Sequence, residues 1–340
     1  MNDASKSRIS RRSLLAGLAT MPTLFVAAGS RAAQTKPDGA AVQEVQAALK
    51  KATGTKLVIL GSGGGPSPMV PGRTRHNTSH VMVSNASAYV LDCGLGVTNQ
   101  FARTGVSFTN VRSIFITHHH PDHNIEYGPL LLIGWVQGLP GSVRAFGPPP
   151  LRQMTEDLLR AYKTTIDFWA EDFKMKPLEL PVVKEVSAPG DILQDENVKV
   201  TAAIVQHPPV RPALAYRFDF RDRSIVFSGD TAPLEAVGRL AKGADLLVHE
   251  AMYLPAVEAY VRDRIAKGVP TNFDAYMAHM KADHTPVEDV SRIAQAAGVK
   301  TLVLSHFVPA IDGIADETWR EAAAKHFQGE ILVARDLMVI

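Results

Sequence analysis

The segment Ile116-Thr117-His118-His119-His120-Pro121-Asp122-His123 packs ligand chemistry into a few residues directly after an apolar run, Ser113 to Thr117, that reads as a strand. A strand end followed by a tight loop can point several side chains into one pocket. Neutral imidazoles from His118 and His120 suit one Zn²⁺, and Asp122 with His123 offers an oxygen and a nitrogen to a second. A merely solvated histidine tract has no need of Asp122 two residues after His120 with His123 beside it. His119 alternates with these residues and is expected to point away. The chain has a single cysteine, Cys93, which excludes an intrachain disulfide and a Cys-cluster zinc site. Any metal must therefore sit on histidine and carboxylate.

The elements that must hold these groups follow from periodicity. With 340 residues, 46% of them hydrophobic and 21% charged, the chain can fill one large α/β domain or two average ones. From Lys56 onward short β-rich runs alternate with turns: Leu57–Leu60, His80–Ser84, Ala88–Leu91, Ser113–Thr117, Val143–Phe146, Val198–Gln206, Ala213–Phe220, Ser224–Phe227, Leu246–Val248, Thr301–Leu304, Ile331–Ala334 and Leu337–Ile340. Helical patterns lie at about 41–52, 124–137, 151–173, 232–242, 254–267, 285–297 and 316–327. Thr285-Pro286-Val287-Glu288 reads as a helix start with Thr at N-cap, Pro at N1 and Glu at N3. Two strand-rich halves, each closing with helices, imply a layered α/β sandwich in one domain, 56–340. The stretch 128–190, richer in aromatics (Trp135, Phe168, Trp169, Phe173), reads as a helical insertion beside the site. Residues 33–55 are a linker and a short helix.

Residues 1–32 have a different purpose. Lys6, Arg8, Arg11 and Arg12 precede an apolar run, Leu14 to Ala28, and Ser30-Arg31-Ala32 offers a small-x-small cleavage site. Ser10-Arg11-Arg12-Ser13-Leu14-Leu15 resembles the twin-arginine export signal. The run is interrupted by Pro22 and is shorter than the ~20 residues a membrane span needs. The expectation is export to the periplasm or beyond, with no stable membrane anchor after cleavage. The whole chain carries 36 basic and 34 acidic residues, a formal charge of +2. Losing 1–32 removes five basic residues and one acidic one, so the mature chain stands at −2. Composition thus excludes a strongly basic nucleic-acid binder.

His-x-His-x-Asp-His after a strand resembles the metallo-β-lactamase superfamily, and further motifs fall in that family's order across about 56–340. The resemblance implies a four-layer αββα sandwich. It assigns His207 as the third ligand of the first metal. Asp230, in Ser228-Gly229-Asp230-Thr231, becomes the bridge between both metals. His306, after Ser305, becomes the last ligand of the second. Asp92, in Asp92-Cys93-Gly94, is expected to hydrogen-bond the metal loop from behind. The interval of 76 residues from Asp230 to His306 holds His249-Glu250-Ala251 and His284-Thr285, which looks like the ribonuclease Z, phosphodiesterase and arylsulfatase branch. A glutamate at position 120 would have suggested the di-iron oxidoreductases. True β-lactamases lack the bridging Asp. Leu60-Gly61-Ser62-Gly63-Gly64-Gly65-Pro66 resembles that branch's first-strand glycine motif. With no Gly-Lys-Ser/Thr after it, it reads as a tight turn near the metal floor. Two departures stand out: Leu95 where the family has Glu after Asp-Cys-Gly, and Pro286 at the third position of His-Ser-Thr.

What the resemblance implies is a dizinc hydrolase in which a metal-bridging hydroxide attacks, Asp122 and Asp230 accept its proton, and His284, oriented by Glu250, protonates the leaving oxygen. Export, the charge of the mature chain, the two departures and the absence of a basic arm in 128–190 favour a small-molecule substrate: a phosphodiester, an aryl or alkyl sulfate, a lactone or an activated aromatic halide. A nucleic-acid partner is not expected on this reading. A ribonuclease Z-like endonuclease is the alternative, and a non-catalytic metal-binding protein the third reading. Members of that branch often pair, which leaves a homodimer open.

Overall fold

Alternation decides which way each strand residue faces. In β1 (Lys56–Gly61), Leu57 and Ile59 join one apolar core, and Val58 and Leu60 join another on the opposite face. A strand buried on both faces reads as an unbroken apolar run, and this is why Leu57-Val58-Ile59-Leu60 shows no polar alternation. The computed structural model describes residues 38–66, 69 and 72–340. The expected export segment 1–32 and the start of the linker lie outside the described residues.

The first sheet runs in sequence order: β1, β2 (Ser79–Ser84), β3 (Ser87–Leu91), β4 (Val111–Phe115), β5 (Arg144–Gly147) and β6 (Val182–Glu185). It is antiparallel up to β3 and parallel from β3 to β6. The second sheet joins β7 (Gly190–Gln194), β8 (Val198–His207), β9 (Val210–Phe220), β10 (Ser224–Phe227), β11 (Leu246–Met252), β12 (Thr301–Val308) and β13 (Glu330–Val333), again as sequence neighbours. Its first four strands are antiparallel and its last four parallel, with β10 common to both runs. Between the sheets Phe115 stacks on Phe146 at 5.0 Å and meets Tyr216 and Phe218 edge-on.

Helices cover both outer faces. On the first sheet lie α1 (Asp38–Lys51), α2 (Val97–Arg103), α4 (Tyr127–Val136) and α5 (Leu151–Ala161), which bury Val45, Phe101, Tyr127, Leu131 and Leu151. Between α2 and α4 comes the single turn α3 (Pro121–Asn124), and after α5 comes α6 (Lys163–Phe173). On the second sheet α7 (Glu235–Leu240), α10 (Val287–Ala297) and α11 (Asp316–Ala324) bury Val237, Val290 and Trp319. The helices α8 (Leu254–Ala266) and α9 (Phe273–Asp283) close a third cluster on Met252 and Val308. The architecture is the expected αββα sandwich.

Several local expectations differ from the structure. The continuous helix expected over 151–173 breaks at Tyr162 (φ −88, ψ 0), whose ring packs against Gly128 of α4. Residues 128–190 supply strands β5 and β6 as well as helices. The start of α10 lies one residue later than expected: Pro286 is the N-cap, and the Thr285 hydroxyl donates to the Thr231 carbonyl at 2.6 Å. Leu337–Ile340 runs along β1 through backbone hydrogen bonds without forming a named strand. Five elements, α2, the single turn α3, α9, β6 and β7, carry no periodicity strong enough to read.

Candidate metal centre

The chain leaves β4 in extended form, and extended residues two apart share a side. His118 and His120 therefore face the same cavity while His119 turns away, donating Nε2–H to the Pro148 carbonyl (2.9 Å) and accepting at Nδ1 from Asn124 (3.1 Å). Pro121 then opens α3, a suitable first helical residue because its missing N–H has no partner there anyway. That turn brings Asp122 and His123 under the same cavity. His207 arrives from the end of β8, Asp230 from the turn after β10, and His306 from β12. Opposite Glu250 on β11, the β12 register shifts at His306, which takes a left-handed φ of 42. A bulge in a conformation unusual for a side-chain-bearing residue re-aims that imidazole into the site. Gly64 lies against its ring, where a Cβ would come within 2.6 Å.

Two groups of donor atoms converge. His118 Nε2 lies 3.1 Å and His207 Nε2 3.0 Å from His120 Nδ1, and both lie 3.9 Å from Asp230 Oδ2. In the second group His306 Nε2 lies 3.2 Å from Asp122 Oδ2 and 3.1 Å from Asp230 Oδ2, and His123 Nε2 faces Asp122 and Asp230 at 3.5 and 3.4 Å. Both groups are among those whose spacing could hold a metal ion. The carboxylate of Asp230 borders both.

Hydrogen bonds from behind set which nitrogen points inward. His123 donates Nδ1–H to Asp92 Oδ2 at 2.9 Å, and His207 donates Nδ1–H to the Asp283 carbonyl at 2.9 Å. Thr117 donates its hydroxyl to Asp92, and its oxygen faces His118 Nδ1 at 3.1 Å. Asp122 Oδ2 accepts the Gly65 N–H at 2.7 Å, so the glycine motif is a backbone contact to the ligand loop. Thr117 and the Asp283 carbonyl were not singled out from sequence. The first was visible beside His118; a main-chain carbonyl has no residue-type signal at all.

Beside the cluster, Glu250 accepts the Thr231 N–H at 2.6 Å and the His284 Nδ1–H at 2.7 Å. The His284 ring lies 5.3 Å from that of His207 and 5.8 Å from that of His306, at the seam of the two donor groups.

Charge accounting shows what this cluster needs. Burial pushes the Asp230 carboxyl up, but His306 and His123 pull it well below the usual range; burial likewise opposes the lowering of Asp122 by His123 and His306. Conversely, burial pulls His123 down while Asp230, Asp122 and Asp92 hold it well above the ordinary imidazole range. Against the same burial, Asp230 and Asp122 hold His306 up to about 10. His118 and His120 lie below their ordinary value, through burial and neighbouring imidazoles. For His284 burial is outweighed by Glu250, and its value is raised. Two buried carboxylates thus demand compensating positive charge. A divalent cation satisfies that demand once the ligand nitrogens give up their protons.

The residues fit such an ion. Among the described residues, buried His123 Nε2 and Asp230 Oδ1 have no hydrogen-bond partner. Two imidazole nitrogens about 3 Å from a third, with their other nitrogens bonded elsewhere, present lone pairs to one point. Metal–nitrogen bonds of about 2.0–2.1 Å in a tetrahedron give ligand–ligand edges of roughly 3.3 Å, and the observed separations bracket that length.

The Beta-lactamase superfamily domain family matches residues 88–307. Ribonuclease Z of Mycobacterium bovis is 31% identical over 286 residues, covering 83% of this chain and 96% of that one. Ribonuclease Z of Mycobacterium marinum is 30% identical with the same coverage. Among solved structures, human tRNase Z, short form, is 21% identical at a TM-score of 0.59, over 84% of this chain and 98% of that one. The Zn²⁺-bound PqqB of Methylobacterium extorquens is 13% identical at a TM-score of 0.58, over 84% and 99%.

These relatives overturn the expected small-molecule ester hydrolase with no nucleic-acid partner, because the ribonuclease Z likeness spans nearly the whole of the relatives. The features that had argued against RNA do not touch the donor atoms. The Leu95 side chain is exposed at 39%, Pro286 caps α10 and leaves His284 on Glu250, and net charge averages over the surface and does not describe the field at one site. With the sandwich, the two donor groups and these matches together, the chain belongs to the metallo-β-lactamase superfamily, as a metal-dependent hydrolase related to ribonuclease Z.

Proposed function

We propose that this protein is an endoribonuclease that hydrolyses a phosphodiester bond in RNA. The observation that carries this is a ribonuclease Z likeness over 83% of the chain, with every expected donor residue present in the converged cluster. We further propose two zinc ions per chain, one on His118, His120, His207 and Asp230, the other on Asp122, His123, Asp230 and His306. Nitrogen and carboxylate donors at tetrahedral spacing favour zinc over magnesium, which prefers six oxygens. Bound there, zinc would supply the acidification of a water and the neutralisation of charge on the phosphate. One of the two adjacent carboxylates, Asp122 or Asp230, accepts the single proton released from the attacking water. His284, held by Glu250, donates one to the departing sugar oxygen. Asp92 fixes the ring of His123. Residues 1–32 act as a twin-arginine export address, which places the mature enzyme outside the cytoplasm.

The test is to incubate the zinc-loaded chain with a transfer-RNA precursor, an unstructured RNA and an aryl phosphodiester, and to map the product ends. Site-specific RNA cleavage that stops on chelation is the expected result. Turnover of the aryl ester with every RNA left intact would remove RNA from the proposal.

A further inference from the structure

Three of the four imidazoles that present Nε2 to the donor groups have an evident partner behind them. His118 has Thr117, His123 has Asp92, and His207 has the Asp283 carbonyl. Among the described residues His306 has none: its Nδ1 is buried and unpartnered, and Glu250 Oε2, 4.0 Å away, already accepts from His284. A metal-ligating histidine almost always donates its second N–H to a carboxylate, a carbonyl or a water.

His306 borders a cavity of ≈ 20 Å³ together with His80, His249, Ser305 and Phe227 and the ligands His123 and Asp230. That is room for one water, which needs about 10–15 Å³ and two to four polar partners. The lining is mostly apolar, and the candidate partners are a few buried polar atoms among it. His80 is buried with both ring nitrogens unpartnered, and His249 Nε2 and Ser305 Oγ are unpartnered as well. The His80 ring packs on Phe227 at 5.1 Å, and among the described residues neither of its nitrogens has a hydrogen-bond partner. An imidazole left without hydrogen bonds in such a place is costly.

We propose that this cavity holds an ordered water that accepts the Nδ1–H of His306 and bonds to His80 and Ser305, making His80 a positioning residue for the second metal. A water has two lone pairs and two hydrogens. It accepts from His306 and from the Ser305 hydroxyl, and donates to the lone-pair nitrogen of His80. The arrangement fixes the tautomer in which His306 offers Nε2, and it supports a residue whose backbone is already bulged and left-handed. The inference rests on the metal centre proposed above and is independent of the RNA substrate.

The experiment is zinc binding by chelator competition on the full chain, resolving two affinities, together with a high-resolution crystal structure. In the wild type one water peak is expected within hydrogen-bond distance of His80 and His306 Nδ1; a dry cavity overturns the proposal. His80→Phe is expected to weaken the second zinc site about 10–100-fold while the first, on His118, His120 and His207, serves as an unchanged internal reference. His80→Gln, which keeps a donor and an acceptor, should recover most of that loss. Equal second-site affinity in wild type and His80→Phe sinks the idea. If His80→Phe loses both sites together through misfolding, Ser305→Ala decides: weaker second-site binding supports the water, and unchanged binding rejects it. A wild type that binds no second zinc would instead defeat the dinuclear centre itself.

Discussion

Replacing His284 by alanine separates proton donation from the rest of catalysis. The ring sits at the seam of the donor groups, its side chain only 13% exposed, with Nδ1 committed to Glu250 at 2.7 Å and Nε2 left for a substrate. A positioned general acid contributes about 10²–10⁴-fold, or roughly 3–5 kcal/mol at 1.36 kcal/mol per tenfold. That contribution is needed when the leaving oxygen is a sugar hydroxyl and hardly needed when it is an aryl oxygen that is stable as an anion. The expected result is a fall in kcat/KM of that size on RNA and less than about 10-fold on an aryl phosphodiester. Glu250→Gln keeps a hydrogen bond and loses its charge, a difference of about 1–2 kcal/mol, so a loss of roughly 5–30-fold on RNA is expected. The pH profile has a definite sign. Because Glu250 raises the His284 value against burial, the protonated acid persists to higher pH and fails as pH rises through that value. Glu250→Gln should therefore move the alkaline limb on RNA to lower pH. Equal losses on both substrates for His284→Ala, with no movement of the limb in Glu250→Gln, would refute the acid assignment.

Asp230→Ala removes the carboxylate that borders both donor groups, so metal content measured by elemental analysis should drop at both sites with the circular dichroism spectrum retained. Retention of two ions would contradict the bridging role. Asp92→Asn leaves His123 without its charged acceptor and disturbs two Thr117 contacts, so zinc affinity should fall about 10–100-fold in chelator competition. Metal uptake should release protons, because His123 and His306 are held above their ordinary range by Asp122 and Asp230; calorimetry in two buffers of different ionisation enthalpy reads the number, and affinity should rise with pH. Chain made in a host with a twin-arginine pathway should appear in the exported fraction with a mass lacking residues 1–32 by mass spectrometry; retention of the whole chain in the cytoplasm would reject the export address.

Much of the architecture could be read because two-sided burial leaves plain traces. The runs at Leu57–Leu60, Ser224–Phe227 and Thr301–Leu304 are apolar because helices lie on one face of each sheet and the other sheet lies on the opposite face. Where burial is one-sided or short, the trace fades. β6 is an edge strand with Val182 61% exposed, and α9 buries only Met277, Met280 and Asp283, so neither shows a period. The substrate class is not legible for a related reason. Export, net charge, a missing basic arm and two motif departures favour a small molecule, but they are averages or remote features, and none of them bears on the donor cluster.

By itself the sequence determined the donor types and the local half of their placement. His118, His120, Asp122 and His123 are set by a strand end, an extended step and a one-turn helix, all local geometry. The tertiary structure decided the rest, because closing a cluster from residues as distant as Asp122 and His306 needs two sheets packed face to face. Only that packing bulges His306 into the site, seats His284 on Glu250, and leaves one imidazole nitrogen of His306 buried without a partner among the described residues. Residue types can be written in a sequence; which lone pairs meet at a point depends on how the layers close.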